Sequence, residues 1–171
     1  MKYRCFELPP QEFKTIRETK IRDCEKLATD WPKITLELEN NKKRISDFPY
    51  FCHNFPIFSE RAVDALRDLI APYVEFLPVE VANSDKKFFG VNIWTVYDTL
   101  DLPRCDYVQI HRYFNIKVHA FKDDILPEAP IFRVRETCTL EMFISQEFRD
   151  IVESKRLTGL RFEHLMPIHM G

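Results

Sequence analysis

Alternating apolar and polar residues predict β-strands along most of this chain. Ile34, Leu36 and Leu38 alternate with Thr35, Glu37 and Glu39, which is the period of a half-buried strand. The run at residues 107–121 is rich in β-branched and aromatic residues, so we expect one long strand there, bent near residues 113–115. Similar patterns predict strands at residues 2–8, 73–81, 88–94, 131–134, 140–144 and 160–165.

Two segments instead show helical periodicity, and each begins at a serine. Ser59 precedes an apolar stripe that ends before Pro72, and Ser145 precedes Phe148, Ile151 and Val152 at helical spacing. A serine hydroxyl at the N-cap accepts from a free amide of the first turn. Gly159 is placed to end the second helix in the left-handed conformation. A further helix, with a less regular stripe, is expected within residues 11–31.

These elements predict a single α+β domain over residues 1–171. Its sheet is expected to be mixed, mainly antiparallel and built of about six to eight strands. The two amphipathic helices are expected to pack on one face, because each has one apolar side to bury.

Residues 47–58, DFPYFCHNFPIF, combine aromatic residues with two prolines. Prolines disfavour both a regular helix and a central strand. One interpretation is an irregular loop whose rings pack over the core. The other is an exposed aromatic patch of Tyr50, Phe51 and Phe55 that binds a partner, since aromatic residues dominate interface energetics.

The composition argues against several classes of function. With 3 glycines in 171 residues, the chain has no glycine-rich phosphate loop, and a net charge of −2 argues against direct nucleic-acid binding. The five cysteines lack any C-x-x-C pair and are expected to be reduced. Neither a signal peptide nor a membrane-spanning segment is predicted, so a cytoplasmic location is expected.

Catalytic and metal-binding patterns are sparse. The five histidines have no paired zinc-ligand spacing, so no metal or cofactor is expected. A nucleophilic cysteine needs a histidine brought near it by folding. Cys105, in a predicted loop, with His111 or His119 is the combination that keeps an enzyme of unknown reaction open as an alternative. The main expectation is a protein that is not an enzyme.

Two loops that follow predicted strands are acidic. The first carries Asp98, Asp101 and Asp106, and the second, at residues 122–130, carries Asp123, Asp124 and Glu128. Residues 48–130 have 8 basic and 12 acidic side chains, a net charge of 8 − 12 = −4. Loops held by a rigid sheet commonly carry recognition residues. These six carboxylates are therefore the candidate partner-binding set.

The C-terminal part carries a phenylalanine-arginine strand, a helix that begins F-I-S, and then T-G-L-R-F. These motifs resemble those of a bacterial immunity family, the eleventh-numbered immunity class of polymorphic toxin systems. The family usually has a serine near the position where Cys105 stands. The likeness spans roughly residues 48–165 and includes IFSERA at 57–62, VEFLPV at 74–79, VN at 91–92 and DTLD at 98–101.

The resemblance implies a function that composition does not give. Immunity proteins of this class neutralise a cognate toxin inside the producing cell, and here stoichiometric binding without catalysis is expected. Many such toxins are nucleases, whose substrate grooves are basic. The acidic loops would then stand in for substrate phosphates. A scaffold or regulatory protein without a toxin partner is the remaining alternative beside the Cys105 enzyme.

Overall fold

The computed structural model describes residues 3, 5–19, 24–27, 30–39, 44–51, 55–110, 113–122, 127–137 and 141–162. Within them lie three α-helices: α1 (Glu12–Glu18), α2 (Glu60–Ile70) and α3 (Gln146–Ser154). The strands are β1 (Cys5–Glu7), β2 (Thr35–Leu38), β3 (Tyr50–Phe51), β4 (Ile57–Ser59), β5 (Val74–Val81), β6 (Phe88–Ile93), β7 (Val96–Tyr97), β8 (Asp106–Ile110), β9 (Tyr113–Val118), β10 (Ile131–Val134) and β11 (Phe143–Ile144).

The largest sheet has six strands in the order β3-β1-β2-β5-β6-β4. Most of its pairings are antiparallel, and the sheet is nearly closed into a barrel-like arrangement. Its centre is the β5–β6 pair, whose register runs from Val74 opposite Ile93 to Val79 opposite Phe88. The described residues also form a three-stranded sheet, β11-β10-β7, and the two-stranded β8–β9 pair. The predicted α+β class with a mixed, mainly antiparallel sheet is confirmed.

Both serine-capped helices form as predicted. Ser59 Oγ accepts from the Ala62 amide at 3.2 Å, and Ser145 Oγ accepts from the Phe148 amide at 3.2 Å. The apolar faces of α2 and α3 share one core cluster, in which Leu66 and Phe148 are completely buried. Burial of these two faces, more than intrinsic propensity, stabilises such short helices.

The end of α3 differs from the prediction. The helix is capped at Lys155, and Arg156 already has a left-handed backbone with φ = 50°. Gly159 lies further along, at φ = 111°, in a loop that passes close to the 46–48 segment. A Cβ at this glycine would collide with the carbonyl oxygen of Phe48 and the side chain of Ser46. A glycine is therefore required at position 159 by the close approach of the two backbone segments, and it does not end the helix.

Residues 47–58 were expected to be irregular but contain β3 and β4. These two short strands form the opposite edges of the six-stranded sheet. Edge positions tolerate prolines, because one side of an edge strand makes no ladder hydrogen bonds. The prolines therefore shorten these strands without preventing them.

Three other strand and helix predictions need correction. The expected long strand at 107–121 is two antiparallel strands, β8 and β9. Among the described residues of the segment 11–31, the expected helix is limited to the seven residues of α1. Of the strand expected at 160–165, residues 160–162 are not in a strand, and residues 163–165 lie outside the described residues. In the first two cases the local pattern extends beyond the elements that tertiary packing stabilises.

The cysteines also depart from the expectation of five reduced thiols. Cys24 is disulfide-bonded, whereas Cys5 and Cys105 are reduced thiols. The expectation is therefore wrong for Cys24. Cys52 and Cys138 lie outside the described residues.

Candidate functional site

Asp98 and Asp101 lie beside the segment that continues from β9. The amide of Asp101 donates to the Ala120 carbonyl at 2.9 Å, and the amide of Lys122 donates to the Thr99 carbonyl at 2.8 Å. Leu100 pairs with Phe121 between these two hydrogen bonds. The first acidic loop is thus fixed to the sheet by its backbone, as a recognition loop requires.

Asp106 begins β8 and pairs with Val118 of β9. Residues 118 and 122 are separated by about 13 Å along an extended chain at ~3.3 Å per residue. Asp98, Asp101 and Asp106 therefore lie on a stretch of chain that runs beside residues 118–122. Glu128 is exposed and precedes Ala129, which packs in the same core cluster as Leu100. We call Asp98, Asp101, Asp106 and Glu128 the acidic surface.

Two carboxylates of the acidic surface have basic neighbours. Lys122 Nζ lies 2.8 Å from Asp98 Oδ1, and this hydrogen bond, together with the lysine charge, lowers the pKa of Asp98. Arg104 Nη1 lies 3.6 Å from Asp101 Oδ2. Counting these two cations, the local charge is −4 + 2 = −2. The surface is therefore less acidic than its carboxylates alone suggest.

The remaining two predicted carboxylates, Asp123 and Asp124, lie outside the described residues. Their membership of the candidate binding set stays a prediction.

The aromatic segment divides into core and surface. Phe51 and Phe55 are 9% and 1% exposed and contact each other, with ring centroids 5.2 Å apart. Phe55 also meets the Trp31 ring edge-on. Tyr50, in contrast, is 57% exposed. Phe51 and Phe55 therefore pack in the core, as the first interpretation of this segment expects. Of the three residues of the candidate aromatic patch, Tyr50 is the exposed one.

Cys105 and His119 have partners that fix their positions. The Ala120 amide donates to Cys105 Sγ at 3.3 Å, and the thiol lies 3.6 Å from the Ala120 carbonyl. His119 is buried, and its Nε2 lies 3.0 Å from Glu141 Oε2. Its ring is also packed against those of Phe121 and Phe143. These contacts hold both side chains in place, and His111 lies outside the described residues.

Neither a metal-binding cluster nor a membrane-spanning helix is found in the part of the chain that the structure describes. No three His, Cys, Asp or Glu side chains gather there as metal ligands would. None of the described helices is long and apolar enough to cross a bilayer.

Comparison with protein-family models identifies the family of this chain. The model of an immunity protein family, Imm11, matches residues 6–166. The chain belongs to the Imm11 immunity protein family. The match confirms the resemblance and extends it through the N-terminal strands. A search of curated proteins finds no match.

Sequence patterns missed three features of this Imm11 protein. The first is Asp47, a buried carboxylate that binds groups from two distant segments. The second is Arg133, 3% exposed on β10, whose four residues are all buried. Burial lowers the pKa of Arg133 to about 10. A half-buried strand pattern at residues 131–134 does not reveal that β10 is the central strand of its sheet, with all four residues buried.

The third missed feature is the exposure of β8. Its residues 106–109 are all exposed, including Tyr107 and Val108. One signal in the sequence could have indicated it: a run of fifteen residues is much longer than a typical strand. Such a run is better divided into a hairpin, whose outer strand then faces solvent.

Proposed function

We propose that this Imm11 protein neutralises a cognate toxin by forming a stoichiometric complex with it, without catalysis, in the cytoplasm of the cell that makes both. The match to the immunity family over residues 6–166 carries this proposal. An immunity protein needs only to occupy its partner's functional surface. It can therefore act through surface shape and charge alone.

The acidic surface is the proposed contact region, with Asp123 and Asp124 extending it as predicted from the sequence. Asp106 and Glu128 are exposed, and Asp98 has a side chain 60% exposed despite its contact with Lys122. Lysines or arginines of a nuclease toxin would take the places that Lys122 and Arg104 now occupy. The carboxylates would then stand in for the phosphates of the nuclease substrate.

The local charge suggests what this surface contributes. Exposed charges at the rim of an interface mainly raise the association rate, whereas buried charge pairs determine dissociation. Asp98 and Asp101 already pair with Lys122 and Arg104. Replacing these two cations by cations of the toxin therefore adds little net affinity. The acidic surface is therefore proposed to steer the toxin, while neighbouring apolar groups hold it.

Co-expression with the toxin tests the proposal. The probe is the C-terminal domain of a large toxin encoded directly beside this gene, produced in a sensitive host. We expect cells to grow when this protein is co-expressed and to stop growing when an unrelated Imm11 protein replaces it. Growth arrest in both cases, with the protein folded and abundant, would overturn the proposal.

A further inference from the structure

Glu75 of β5 and Asn92 of β6 lie opposite each other in the central strand pair, and Asn92 is completely buried. Two donors meet at Glu75 Oε2: the Leu27 amide at 2.6 Å and Asn92 Nδ2 at 2.8 Å. The same Nδ2 donates to the Glu25 carbonyl at 2.7 Å. Two polar side chains of the central pair therefore bind the backbone of residues 25–27.

Further contacts hold the residues that follow. Leu27 is 4% exposed and belongs to the core cluster against which Trp31 packs. Trp31 Nε1 donates to the Pro78 carbonyl at 2.9 Å, and its ring meets Phe55 edge-on. We call the described residues 24–27, 30 and 31 the strap, because they lie against the β5–β6 pair through these contacts.

A disulfide adds a covalent link at the first residue of the strap, Cys24. Cys5 and Cys105 are reduced thiols, which leaves Cys52 or Cys138 as its partner. Either bond closes a long loop, and such a bond restricts the open states of the chain. Cys24 also has a left-handed backbone, with φ = 56°, which is uncommon for a residue with a side chain. Its surroundings must therefore hold it in place.

We propose that the Cys24 disulfide is a redox-sensitive latch that keeps the strap closed over the β5–β6 pair. This inference goes beyond toxin binding and does not depend on it. Once the disulfide is reduced, the strap is held by its hydrogen bonds and by the burial of Leu27. Segments held by few contacts open locally while the rest of the protein stays folded. A reducing cytoplasm therefore favours opening, and an oxidising compartment favours the closed strap.

A dithiol supplies the electrons for this step. Its first thiolate attacks one sulfur of the disulfide and forms a mixed disulfide, and its second thiol then displaces the remaining protein sulfur. Two electrons pass from the dithiol to the protein. Cys24 and its partner each end as a thiol, and the dithiol ends as a disulfide. Cys24 is partly exposed, as this attack requires.

Hydrogen exchange of the Leu27 amide tests the latch, because this amide donates to Glu75 in the closed strap. The protein is first oxidised with glutathione disulfide, and peptide mapping checks the bond at Cys24. After reduction by dithiothreitol, we expect the Leu27 amide to exchange at least about tenfold faster. The Val91 amide, which donates to the Pro56 carbonyl at 2.8 Å in the sheet, should exchange as before.

Three results would overturn the latch. The first is an oxidised protein without a disulfide at Cys24. The second is a Leu27 amide whose exchange does not change on reduction. The third is equal acceleration of the Leu27 and Val91 amides, because reduction would then loosen the whole sheet and not the strap.

Cys24→Ser is the control for the reductant. This variant lacks the bond, so its Leu27 amide should exchange at the rate of the reduced protein, with or without dithiothreitol. A response of Cys24→Ser to dithiothreitol would assign the effect to another cysteine and contradict the proposal.

A matched pair of substitutions on β5 tests the hydrogen bonds that close the strap. In the reduced protein, Glu75→Gln should speed exchange of the Leu27 amide further, because a neutral amide is a weaker acceptor than a carboxylate. Glu80→Gln changes a side chain that is 58% exposed on the same strand and should have no such effect. Equal exchange of the Leu27 amide in the two variants would show that the Glu75 carboxylate does not hold the strap.

Discussion

The carboxylate of Asp47 accepts two hydrogen bonds from Thr158, which lies 111 positions later in the chain. The Thr158 amide is 2.8 Å from Oδ2, and its hydroxyl is 3.0 Å from the same oxygen. The carboxylate also accepts from Ser59 at 3.1 Å and from Arg61 at 2.9 Å. One buried acid thus joins the start of α2 to the loop after α3.

Asp47→Asn should destabilise the fold in a pH-dependent manner. Burial alone would raise the pKa of Asp47, but hydrogen bonds from Thr158 and Ser59 and the charge of Arg61 outweigh it and lower the pKa. The stabilisation is therefore present above the unfolded-state pKa of about 4 and is lost as pH falls through the folded-state value. Urea unfolding should show a loss of about 1–3 kcal/mol at pH 7 and a smaller loss near pH 3.

The exposed carboxylate of Asp85 provides the control for that comparison. Asp85→Asn should change the free energy of unfolding by no more than about 0.5 kcal/mol at either pH. A loss for Asp47→Asn that is the same at both pH values would refute the charged hydrogen-bond account.

The two helix caps should differ in their contribution to stability. Ser145→Ala should cost about 1 kcal/mol, the usual value for a lost N-cap, and leave toxin protection unchanged. Ser59→Ala should cost more, because the Ser59 hydroxyl also donates to Asp47. Chemical denaturation of both variants measures the difference. Loss of protection by a stable Ser145→Ala variant would show that this serine has a role beyond capping.

Long periodic segments were predictable from the sequence, and short ones were not. β5, β6 and the two serine-capped helices form where the patterns place them, because each pattern extends over several turns or residue pairs. β3 and β4 have two and three residues and depend on partners distant in the chain. No local pattern is long enough to predict such strands.

The candidate site was predictable in outline alone. The acidic loops were identified from the sequence, but the contact between Lys122 and Asp98 joins residues 24 positions apart and depends on the fold. The same limit applies to Phe51 and Phe55, whose burial results from packing against distant strands. Charge and aromatic content can be counted along a chain, whereas exposure and pairing arise from tertiary contacts.

Thiol chemistry should follow the bonding in the structure. In protein purified without reductant and then denatured, Cys5 and Cys105 should react with an alkylating reagent, and Cys24 should react after reduction. Peptide mapping by mass spectrometry measures each position. Alkylation of all five cysteines without reduction would contradict the disulfide at Cys24. A disulfide is also unusual in a cytoplasm, so the same mapping on protein trapped in cells tests the proposed location.

Charge reversal on the acidic surface should slow association with the toxin. Asp106→Lys with Glu128→Lys reverses two exposed carboxylates and should lower the association rate by about tenfold at low salt. The remaining binding should depend less on salt, as measured by surface plasmon resonance at two salt concentrations. The control, Asp64→Lys with Asp68→Lys, reverses two exposed carboxylates of α2 and makes the same change in net charge.

The two double variants separate local from overall charge. If both slow association equally, the effect comes from net charge and the acidic surface has no special role. If neither changes the rate or the affinity, the carboxylates do not stand in for phosphates.

Tyr50→Ala tests the alternative aromatic contact. The side chain is 57% exposed, so its removal should leave the unfolding midpoint nearly unchanged and should not weaken toxin binding if the acidic surface is the contact. Phe55→Ala, in the core, should cost about 3–5 kcal/mol of stability. A stable Tyr50→Ala variant that binds poorly, with little salt dependence, would move the interface to β3.

Titration of toxin activity tests the central claim, neutralisation by binding without turnover. The purified toxin domain is held at a concentration far above its dissociation constant, and this protein is added in increasing amounts. Residual toxin activity should fall linearly and reach zero at one equivalent, with no further loss over time. Complete inactivation by much less than one equivalent, or full activity at several equivalents, would contradict the claim.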